Sequence, residues 1–289
     1  MTRVLVTGGS GFVAGHVIDV LLKRGHSVIA TVRSEDKAKA IRATYEDAPQ
    51  GSLDFIVVPD IAVSGAFHEL GSLGLEAVIH VASPLASTGA RKTYTEADWS
   101  PITLKDAYAN GLNAYIASKV LAEQSAWGFV GKKKPSFTLS TINPPMIYGP
   151  VRLPVKSLNS VNTSNQLLAE VLTGKHKAGL PPTALPLWVD VRDVALAHVK
   201  AMEREEAAGK RFFIAAGFYS NAEMGRAIWD NFPDLRDRLP DRNEMGGVPN
   251  QNLQSFGYDT SEAEKILDIE WTPYEKTVVD SVKSLTGRK

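Results

Sequence analysis

Short apolar runs alternate with helix-like patterns through the first eighty residues. The run Val4-Leu5-Val6 is followed by apolar positions at helical spacing over residues 12–24, and Gly25 then provides a stop. The alternation continues, with strands predicted at residues 27–32, 53–58 and 77–81 and helices at residues 35–45 and 65–70. Continuous apolar strands are typical of a parallel sheet that is covered on both faces. The pattern therefore predicts βαβ units and a doubly wound α/β fold.

The alternation stops after Val81. Residues 84–111 hold two prolines, two glycines and no run of four apolar residues, so no strand is predicted there. A helix is predicted at residues 113–129, and a strand at residues 137–142 is ended by Asn143-Pro144-Pro145. The continuous alternation of strand and helix is thus interrupted before the middle of the chain.

The second half of the chain is more irregular. Its apolar periodicity predicts helices at residues 165–172, 191–204, 221–230, 261–267 and 272–282, and a strand at residues 211–215. Capping boxes mark the starts of the last two helices, where Ser261 is followed by Glu264 and Thr272 by Glu275. These two helices are therefore expected to begin at the serine and the threonine.

A glycine-rich turn joins the first strand to the first helix. The segment Thr7-Gly8-Gly9-Ser10-Gly11-Phe12-Val13-Ala14 contains a G-x-x-G-x-x-A fingerprint. Gly8 permits the tight turn, Gly11 leaves room for a pyrophosphate, and Ala14 lets the helix pack on the strand. The free N–H groups of the helix N-terminus attract phosphates. The position predicts a dinucleotide site that includes Thr7, Gly8, Gly11, Phe12 and Val13; the alternative is an ordinary glycine turn.

The end of the second strand predicts which dinucleotide is bound. An acidic residue about 20 positions after the glycines would hold the ribose hydroxyls of NAD. This strand ends Thr31-Val32-Arg33-Ser34, with arginine in that place, and Lys37 follows one helical turn later. A guanidinium can bind the 2′-phosphate of NADP and stack on the adenine. The cofactor is therefore predicted to be NADP(H), unless Arg33 is simply a solvated surface residue.

Polar residues also follow the third and fourth strands. Asp60-Ile61 lies after the third strand, where the carboxylate could accept a hydrogen bond from the adenine amino group. His80-Val81-Ala82-Ser83 lies at the end of the fourth strand, beside the expected path of the phosphates and ribose. We assign Asp60, Ile61 and Ala82 to the cofactor site and Ser83 to the substrate site. A helix cap or a strand-end turn is the competing interpretation for each of them.

The candidate for catalysis is the pair Tyr115 and Lys119. Residues at positions i and i+4 lie on the same face of a helix, and of the eight tyrosines only Tyr115 has a lysine four residues later. A positive charge beside a phenol favours the phenolate form, and such a tyrosine can give a proton to a carbonyl oxygen. The alternative is an ordinary pair on a solvated helix face.

Taken together, these segments resemble the extended short-chain dehydrogenase/reductase family. The closest branch looks like dihydroflavonol reductase and the yeast-type NADPH-dependent aldehyde and ketone (methylglyoxal) reductases. The segments that carry the resemblance are 6–14, 31–34, 78–84, 94–99, 113–119, 142–150, 188–195 and 256–261. They follow the order found in that family and extend over nearly the whole chain.

The resemblance implies a Rossmann domain and a small C-terminal substrate lobe. The core would comprise residues 1–150 with further elements in 186–215, and residues 151–289 would form mainly the lobe. Tyr115 and Lys119 would be the catalytic pair and would also contact the cofactor, Lys119 at the nicotinamide ribose. Pro144 would lie near the nicotinamide carboxamide, Met146, Ile147 and the 158–165 region would line the substrate pocket, and 190–193 would tie the lobe to the core.

One departure from the family pattern affects the centre of the sheet. In the family, a crossover helix and a fifth parallel strand, which ends in a catalytic serine, lie between segments that are joined here by residues 85–93 alone. A crossover needs a dozen or more residues, so on the order of 40 residues are missing. The sheet could close up with the strand at Phe137 beside Ala77, the chain could be a splice or gene-model variant, or it could be a binding-only relic.

Composition narrows the range of functions. The 32 basic and 32 acidic residues give a net charge of zero, so nothing favours nucleic acid or an anionic membrane as a partner. The chain has no cysteine, and no apolar run approaches the roughly 20 residues of a membrane span. We expect a cytoplasmic monomer or homodimer that reduces a small carbonyl substrate with NADPH. The alternatives are a catalytically impaired nucleotide-binding or regulatory protein and, because it shares the fold, a sugar-nucleotide epimerase.

Overall fold

The computed structural model describes residues 1–81, 93–155, 157–248 and 256–288. Within these residues the strands are β1 (Arg3–Thr7), β2 (Ser27–Val32), β3 (Leu53–Val57), β4 (Ala77–His80), β5 (Thr93–Tyr94), β6 (Thr141–Asn143), β7 (Met146–Tyr148), β8 (Leu187–Asp190), β9 (Arg211–Phe213), β10 (Gly217–Phe218) and β11 (Gly257–Tyr258). The α-helices are α1 (Phe12–Lys23), α2 (Glu35–Thr44), α3 (Gly111–Lys133), α4 (Gln166–Leu172), α5 (Val191–Glu203), α6 (Asn221–Asn231), α7 (Ser261–Leu267) and α8 (Tyr274–Thr286). Short 3₁₀ turns lie at His68–Ser72, Asp106–Tyr108, Leu158–Ser160, Thr163–Asn165, Glu205–Ala207 and Pro233–Arg238.

The central sheet has the strand order β3-β2-β1-β4, and all its pairings are parallel. Val4 and Val6 on β1 are fully buried in a cluster with α1 and α5 on one face of the sheet. Leu5 points to the other face, where Leu70 of a 3₁₀ turn covers it. Both faces of β1 are therefore covered, which explains why its sequence is a continuous apolar run. The structure confirms the predicted doubly wound α/β class.

The sheet does not continue from β4 to β6. The strand predicted at residues 137–142 is limited to Thr141–Asn143, and it pairs in parallel with β9. Closure of the sheet with this strand beside Ala77, one of the three outcomes considered, is not observed among the described residues, where a cavity of about 1130 Å³ lies between β4 and β6. Helices α3 and α5 both contribute side chains to this cavity and span the gap. Among the described residues β4 is thus an edge strand of the sheet.

A second apolar cluster lies in the C-terminal part of the chain. It is formed by α4, α6 and α8 around fully buried residues such as Leu168, Ile228 and Val282. The predicted boundary between core and lobe stays a prediction. Val189 of β8 and Phe212 of β9 lie within residues 186–215, and both belong to the apolar cluster around β1.

Buried polar contacts fasten α8 to the core. Asp190 is fully buried, caps α5 by accepting the Arg192 N–H, and forms a salt bridge of 2.7 Å with the Arg192 guanidinium. Arg192 also contacts Asp280 of α8 at 2.5 Å, and the Thr277 hydroxyl donates to Asp190 at 2.5 Å. Removing one partner of a buried ion pair leaves an uncompensated charge, so these groups stabilise one another. The network of Asp190, Arg192, Thr277 and Asp280 therefore links the two apolar clusters.

The two predicted capping boxes do not form. The N-cap of α7 is Thr260, whose hydroxyl donates to the Glu264 carboxylate at 2.8 Å, so Ser261 is already inside the helix. Helix α8 begins at Tyr274, because the backbone N–H and hydroxyl of Thr272 both donate to Asp193 of α5 at 2.8 Å. A tertiary contact therefore replaces the local cap. Across the described ranges, no helix has the length and apolar character needed to cross a bilayer.

Candidate active site

The glycine-rich turn is fixed against β2. Gly8 has a φ of +68°, a conformation that L side chains rarely adopt, and its N–H donates to the Thr31 hydroxyl at 3.0 Å. The Gly9 N–H donates to the Thr31 carbonyl at 2.8 Å, and a Cβ on Gly9 would lie 2.8 Å from the Cβ of Ala30. Gly8 is thus required by its backbone conformation, and Gly9 by its close approach to β2. Sequence reasoning gave Gly9 no role, because its constraint comes from β2.

Helix α1 begins directly behind this turn. Its N-cap is Gly11, no side chain caps it, and the first backbone hydrogen bond of the helix runs from the Gly15 N–H to the Gly11 carbonyl. Within the described part of the chain, the N–H groups of Phe12 and Val13 have no acceptor. A helix end with open donors and a glycine cradle is suited to a pyrophosphate.

The remaining predicted contacts for the nucleotide lie at strand ends. Arg33 and Lys37 are exposed and have no partner among the described residues, so both charges are available to a ligand. Asp60 is already used in a turn, since its carboxylate accepts the Ala62 N–H at 2.8 Å. Ile61 is 55% exposed. Ala82 and Ser83 lie outside the described residues.

Tyr115 and Lys119 lie on one face of α3, as predicted. The Lys119 ammonium is 5.5 Å from the centre of the Tyr115 ring. Tyr115 is 46% exposed, and Lys119 lines the large cavity between β4 and β6. The phenol is therefore open to a ligand, with a cation beside it.

His80 connects the nucleotide turn to this pair. Its Nδ1 is 2.7 Å from the hydroxyl of Thr7 at the end of β1. Burial, and then the positive charge of Lys119, lower the pKa of His80, so the imidazole is neutral at physiological pH. The structure thus brings together three of the residues singled out from the sequence: Thr7, His80 and Lys119. The sequence showed only that His80 ends its strand.

A buried ion pair lies one helical turn beyond Lys119. Glu123 is 8% exposed and contacts the Arg211 guanidinium of β9 at 2.7 Å. Burial alone would raise the pKa of the Glu123 carboxyl, but hydrogen bonds from Arg211 and Thr141 and the Arg211 charge hold it below its usual value. The Arg211 guanidinium also lies 3.8 Å from the centre of the Trp99 ring and donates to the Asp98 carbonyl at 3.1 Å.

This ion pair orients α3 and therefore Tyr115 and Lys119. It joins the helix to β9 and to the segment after β5, which are distant in the chain. No local pattern announces it, since Glu123 and Arg211 are 88 residues apart. Spacing along α3 places Glu123 on the face of Lys119, but the partner could not be identified from the sequence.

The residues predicted to surround the nicotinamide and substrate are distributed over two faces. Pro144 is buried after β6 and lines a cavity of about 80 Å³ with Trp99 and Arg211. Met146 packs on a cluster of buried aromatic rings, whereas Ile147 packs on the core cluster around β1. Because neighbouring side chains of a strand point in opposite directions, they do not line one surface together.

The region of residues 158–165 packs beside β7. Asn165 is fully buried and donates to the Gly149 carbonyl at 2.9 Å, while the Ser164 hydroxyl donates to the Ile147 carbonyl at 2.5 Å. The side-chain oxygen of Asn165 is buried and has no hydrogen-bond partner in the described part of the chain. That residues 158–165 line the substrate pocket stays a prediction. Within the described residues there is no group of His, Cys, Asp or Glu side chains arranged to hold a metal ion.

The fold and these residues define a protein of the dinucleotide-binding α/β class. Residues 4–103 match the model of the NAD dependent epimerase/dehydratase family. The chain is 33% identical to the ketoreductase azaE of Aspergillus niger, with 98% of this chain and 97% of that protein covered. It therefore belongs to this extended short-chain dehydrogenase/reductase family.

Relatives and solved structures extend the comparison. A Candida albicans protein named as a putative NADPH-dependent methylglyoxal reductase, GRP2, is 29% identical over 99% of each chain. The crystal structure of Gre2 from Candida albicans superposes with a TM-score of 0.83 at 28% identity, covering 100% of this chain and 99% of that chain. The complex of the Candida albicans Gre2 with NADPH gives 0.82 at 27% identity, with the same coverage.

The lengths of the alignments differ from the length of this chain. The comparison with the Aspergillus niger ketoreductase extends over 332 positions, to which this chain contributes about 283 residues, or 98% of 289. About 50 aligned positions therefore have no residue here. This number agrees with the missing crossover and strand expected from the sequence.

Proposed function

We propose that the protein is an NADPH-dependent reductase of aldehydes or ketones. The observation that carries the proposal is the connected arrangement of the glycine turn, His80 and Lys119, with the phenol of Tyr115 beside that lysine. The nucleotide-binding half fits a dinucleotide, because α1 offers open N–H donors over a turn where a Cβ on Gly9 would clash. Relatives named as NADPH-dependent methylglyoxal reductases support the choice of cofactor and reaction.

Each residue has a defined task in this mechanism. The open N–H groups at the start of α1 hold the pyrophosphate, and the exposed Arg33 holds the 2′-phosphate. When bound, NADPH supplies the hydride for the carbonyl carbon. Tyr115 gives its phenolic proton to the carbonyl oxygen, and the Lys119 ammonium beside it stabilises the phenolate that results.

The experiment that tests the mechanism compares two tyrosine variants. Tyr115→Phe removes the proton donor, so we expect NADPH oxidation with methylglyoxal or an aromatic aldehyde to be lost while NADPH binding persists. Tyr108→Phe, at a ring that is 83% exposed, is the matched control and should keep full turnover. Unchanged turnover in Tyr115→Phe would contradict the mechanism.

Cofactor choice is tested separately, by fluorescence titration with NADPH and with NADH. Arg33→Ala should weaken NADPH binding about tenfold to a hundredfold and leave NADH binding unchanged, because a charge-assisted hydrogen bond contributes about 1.5–3 kcal/mol. Lys39→Ala, an exposed cation on α2, is the control and should bind both nucleotides as the parent does. Equal binding of NADH and NADPH by the parent would remove the role given to Arg33.

One observation favours a second candidate function. The cavity beside β4 interrupts the sheet next to α3, and losing one donor to the substrate oxygen costs on the order of 10²–10³ in rate. The alternative is a nucleotide-binding or regulatory protein with impaired catalysis. Tight NADPH binding without Tyr115-dependent turnover of methylglyoxal or of any other aldehyde or ketone tested would support this alternative. A cytoplasmic location and a monomeric or dimeric state stay predictions.

A further inference from the structure

The cavity between β4 and β6 lies between the edges of two parallel strands. Its two sides are the backbone of residues 75–80 and that of residues 136–143. Ala122 and Ala126 of α3 and Ala201 and Met202 of α5 line the rest of it. The volume of about 1130 Å³ is thus bordered by two strand edges and two helices. We call this cavity the β4–β6 cleft.

Among the described residues, neither of the strand edges that face the cleft has a neighbouring strand. Strand β4 pairs with β1 on its other side, and β6 pairs with β9 on its other side. No further pairing of either strand exists among the described residues. Backbone N–H and C=O groups on such edges are open to hydrogen bonding with another strand. The cleft therefore presents two ladders of donors and acceptors.

The directions of the two edges agree. Helix α3 begins near the carboxyl end of β4, since the Lys119 charge acts on His80. The helix then runs back along the cleft through Ala126 and leads into β6. Strand β6 consequently runs in the same direction as β4. A strand placed between them would be parallel to both, as the strands are in the central sheet.

The lining predicts the chemistry of the strand that fits. Helices cover both faces of the cleft, and a strand that is buried on both faces is a continuous apolar run. Val78 on β4 and Phe137 before β6 both line the cleft and are 58% and 57% exposed. An apolar run would cover both side chains. Burial of that surface would contribute about 25 cal/mol per Å².

The charges that have no ionic partner among the described residues differ in sign between the two ends of the cleft. At the end where β4 and β6 begin, Glu76 and Glu205 are exposed, whereas Glu203 and Arg204 are paired with Arg24 and Asp268. At the end where β4 finishes, Lys119 has no carboxylate partner within the described ranges, because Glu123 is paired with Arg211. This distribution complements a strand that has basic residues before its apolar run and a hydroxyl or carboxylate after it.

We propose that the β4–β6 cleft binds one extended polypeptide strand in trans, parallel to β4 and β6. The strand has a basic start, about five apolar residues and a polar end. Its binding resembles the addition of a strand to a sheet edge, except that here both edges of the incoming strand are paired. The proposal does not depend on reductase activity, because it concerns the sheet alone.

The probe is a synthetic peptide with these properties: fluorescein-labelled Lys-Lys-Val-Ile-Val-Ile-Val-Ser amide. We expect saturable binding to the full chain by fluorescence anisotropy. A peptide with proline in place of the central valine has one N–H fewer and a fixed φ, so it should bind at least about tenfold more weakly. Equal binding of both peptides would overturn the proposal, because it would show that no ladder forms.

Hydrogen exchange identifies the edge that is used. Peptide binding should slow amide exchange in β4 and β6 and leave β3, the opposite edge of the central sheet, unchanged. Protection of β3 to the same degree would contradict the proposal, because it would indicate adhesion to any free edge.

Two variants test the cleft without relying on the peptide alone. Ala126→Trp fills the cleft from α3 and should weaken peptide binding at least about tenfold, whereas Ser125→Trp, on the neighbouring position outside the lining, should not. Binding unchanged in Ala126→Trp would overturn the proposal. A dimer of the peptide-free protein that Ala126→Trp dissociates would also overturn it, in favour of a second copy as the occupant.

The exposed Glu205 provides a variant that leaves the fold intact. Glu205→Lys should weaken binding of the Lys-Lys peptide and strengthen binding of a peptide that starts Asp-Asp. If both peptides respond in the same direction, the assigned orientation of the strand is wrong.

Discussion

The two helices that carry the predicted chemistry are packed very differently. Seven of the twelve residues of α1 are buried against the sheet. In α3 three of twenty-three are buried, and one of them is the charged Glu123. The nucleotide turn gains its neighbours from the next strand of the same βαβ unit, whereas α3 faces the β4–β6 cleft. A local motif therefore suffices to build the first region, but the second also needs a strand that the motif does not encode.

The largest effect is expected from the ion pair that holds α3. Glu123→Ala leaves the partly buried Arg211 without its carboxylate, and breaking a buried pair costs about 3–5 kcal/mol. Urea denaturation measures the loss in the free energy of unfolding. Gln124→Ala, at the exposed neighbour, is the control and should change it by less than about 0.5 kcal/mol. A loss below about 1 kcal/mol for Glu123→Ala would mean that α3 is held by other contacts.

Truncation of one apolar side chain in each helix tests the difference in packing directly. Ile18 of α1 is fully buried, so Ile18→Ala should cost about 2–5 kcal/mol through lost burial and a cavity. Leu112 of α3 is 62% exposed, and Leu112→Ala should cost less than about 0.5 kcal/mol. Thermal and urea unfolding of both variants give the comparison. Similar losses would show that α3 is covered in solution.

Two buried carboxylates should give pH dependences of opposite sign. Burial raises the pKa of Asp193, on α5, from 3.8 to about 6, despite the hydrogen bonds from Thr272. Its protonated form favours the fold, so this contribution of about 3 kcal/mol is complete below pH 4 and is lost as the pH rises through 6. The pKa of Glu123 is lowered, so its ionised form favours the fold. Its contribution to stability is complete above the ordinary pKa of a glutamate and is lost as the pH falls.

The measurement is urea denaturation between pH 4 and 8 of the parent and of Asp193→Asn. The difference between the two free energies of unfolding should shrink as the pH rises through 6, because the variant has no carboxyl to ionise at this position. Asp54→Asn, at an exposed side chain, is the control for the other titrating groups. A difference that grows with pH would show that Asp193 is stabilised as the anion.

The smallest effect is expected from glycines. A Cβ on Gly128 in the middle of α3 meets no atom within 4 Å, so Gly128→Ala should stabilise the protein by about 0.5–1 kcal/mol. The same change at Gly9 pushes a Cβ against Ala30 and should destabilise it. Melting temperatures of the two variants that shift in the same direction would contradict this contrast.

The sequence predicted the elements whose partners are close in the chain. The βαβ pattern, the glycine turn and the spacing of Tyr115 and Lys119 were all confirmed by the structure, because period and turn chemistry determine them locally. The short strand at Thr93 was missed, since two residues that pair with Gly257 leave no pattern of their own. Met146 and Ile147 were assigned to one surface because their strand, β7, was not recognised.

Long-range polar contacts were equally invisible from the sequence. The Thr272 side chain bonds to Asp193 and not to its own helix, and Arg211 finds Glu123 across 88 residues. From the sequence alone, Thr272 and Arg211 each have several possible partners, and only the tertiary structure determines which one is used. The missing segment after β4 was visible from the sequence as missing length. Whether β6 would pair with β4 or with β9 was not, because no local pattern decides between two strand partners.

The network around Asp190 has a consequence for the order in which the protein forms. Its partner Thr277 follows 87 residues later in the chain. A ribosome that adds about 5–20 residues per second needs roughly 4–17 s to cover that distance. During this interval Arg192 is, among the described residues, the one partner of the Asp190 carboxylate that has been synthesised. The contacts between Asp190 and α8 therefore form only after α8 has emerged from the ribosome.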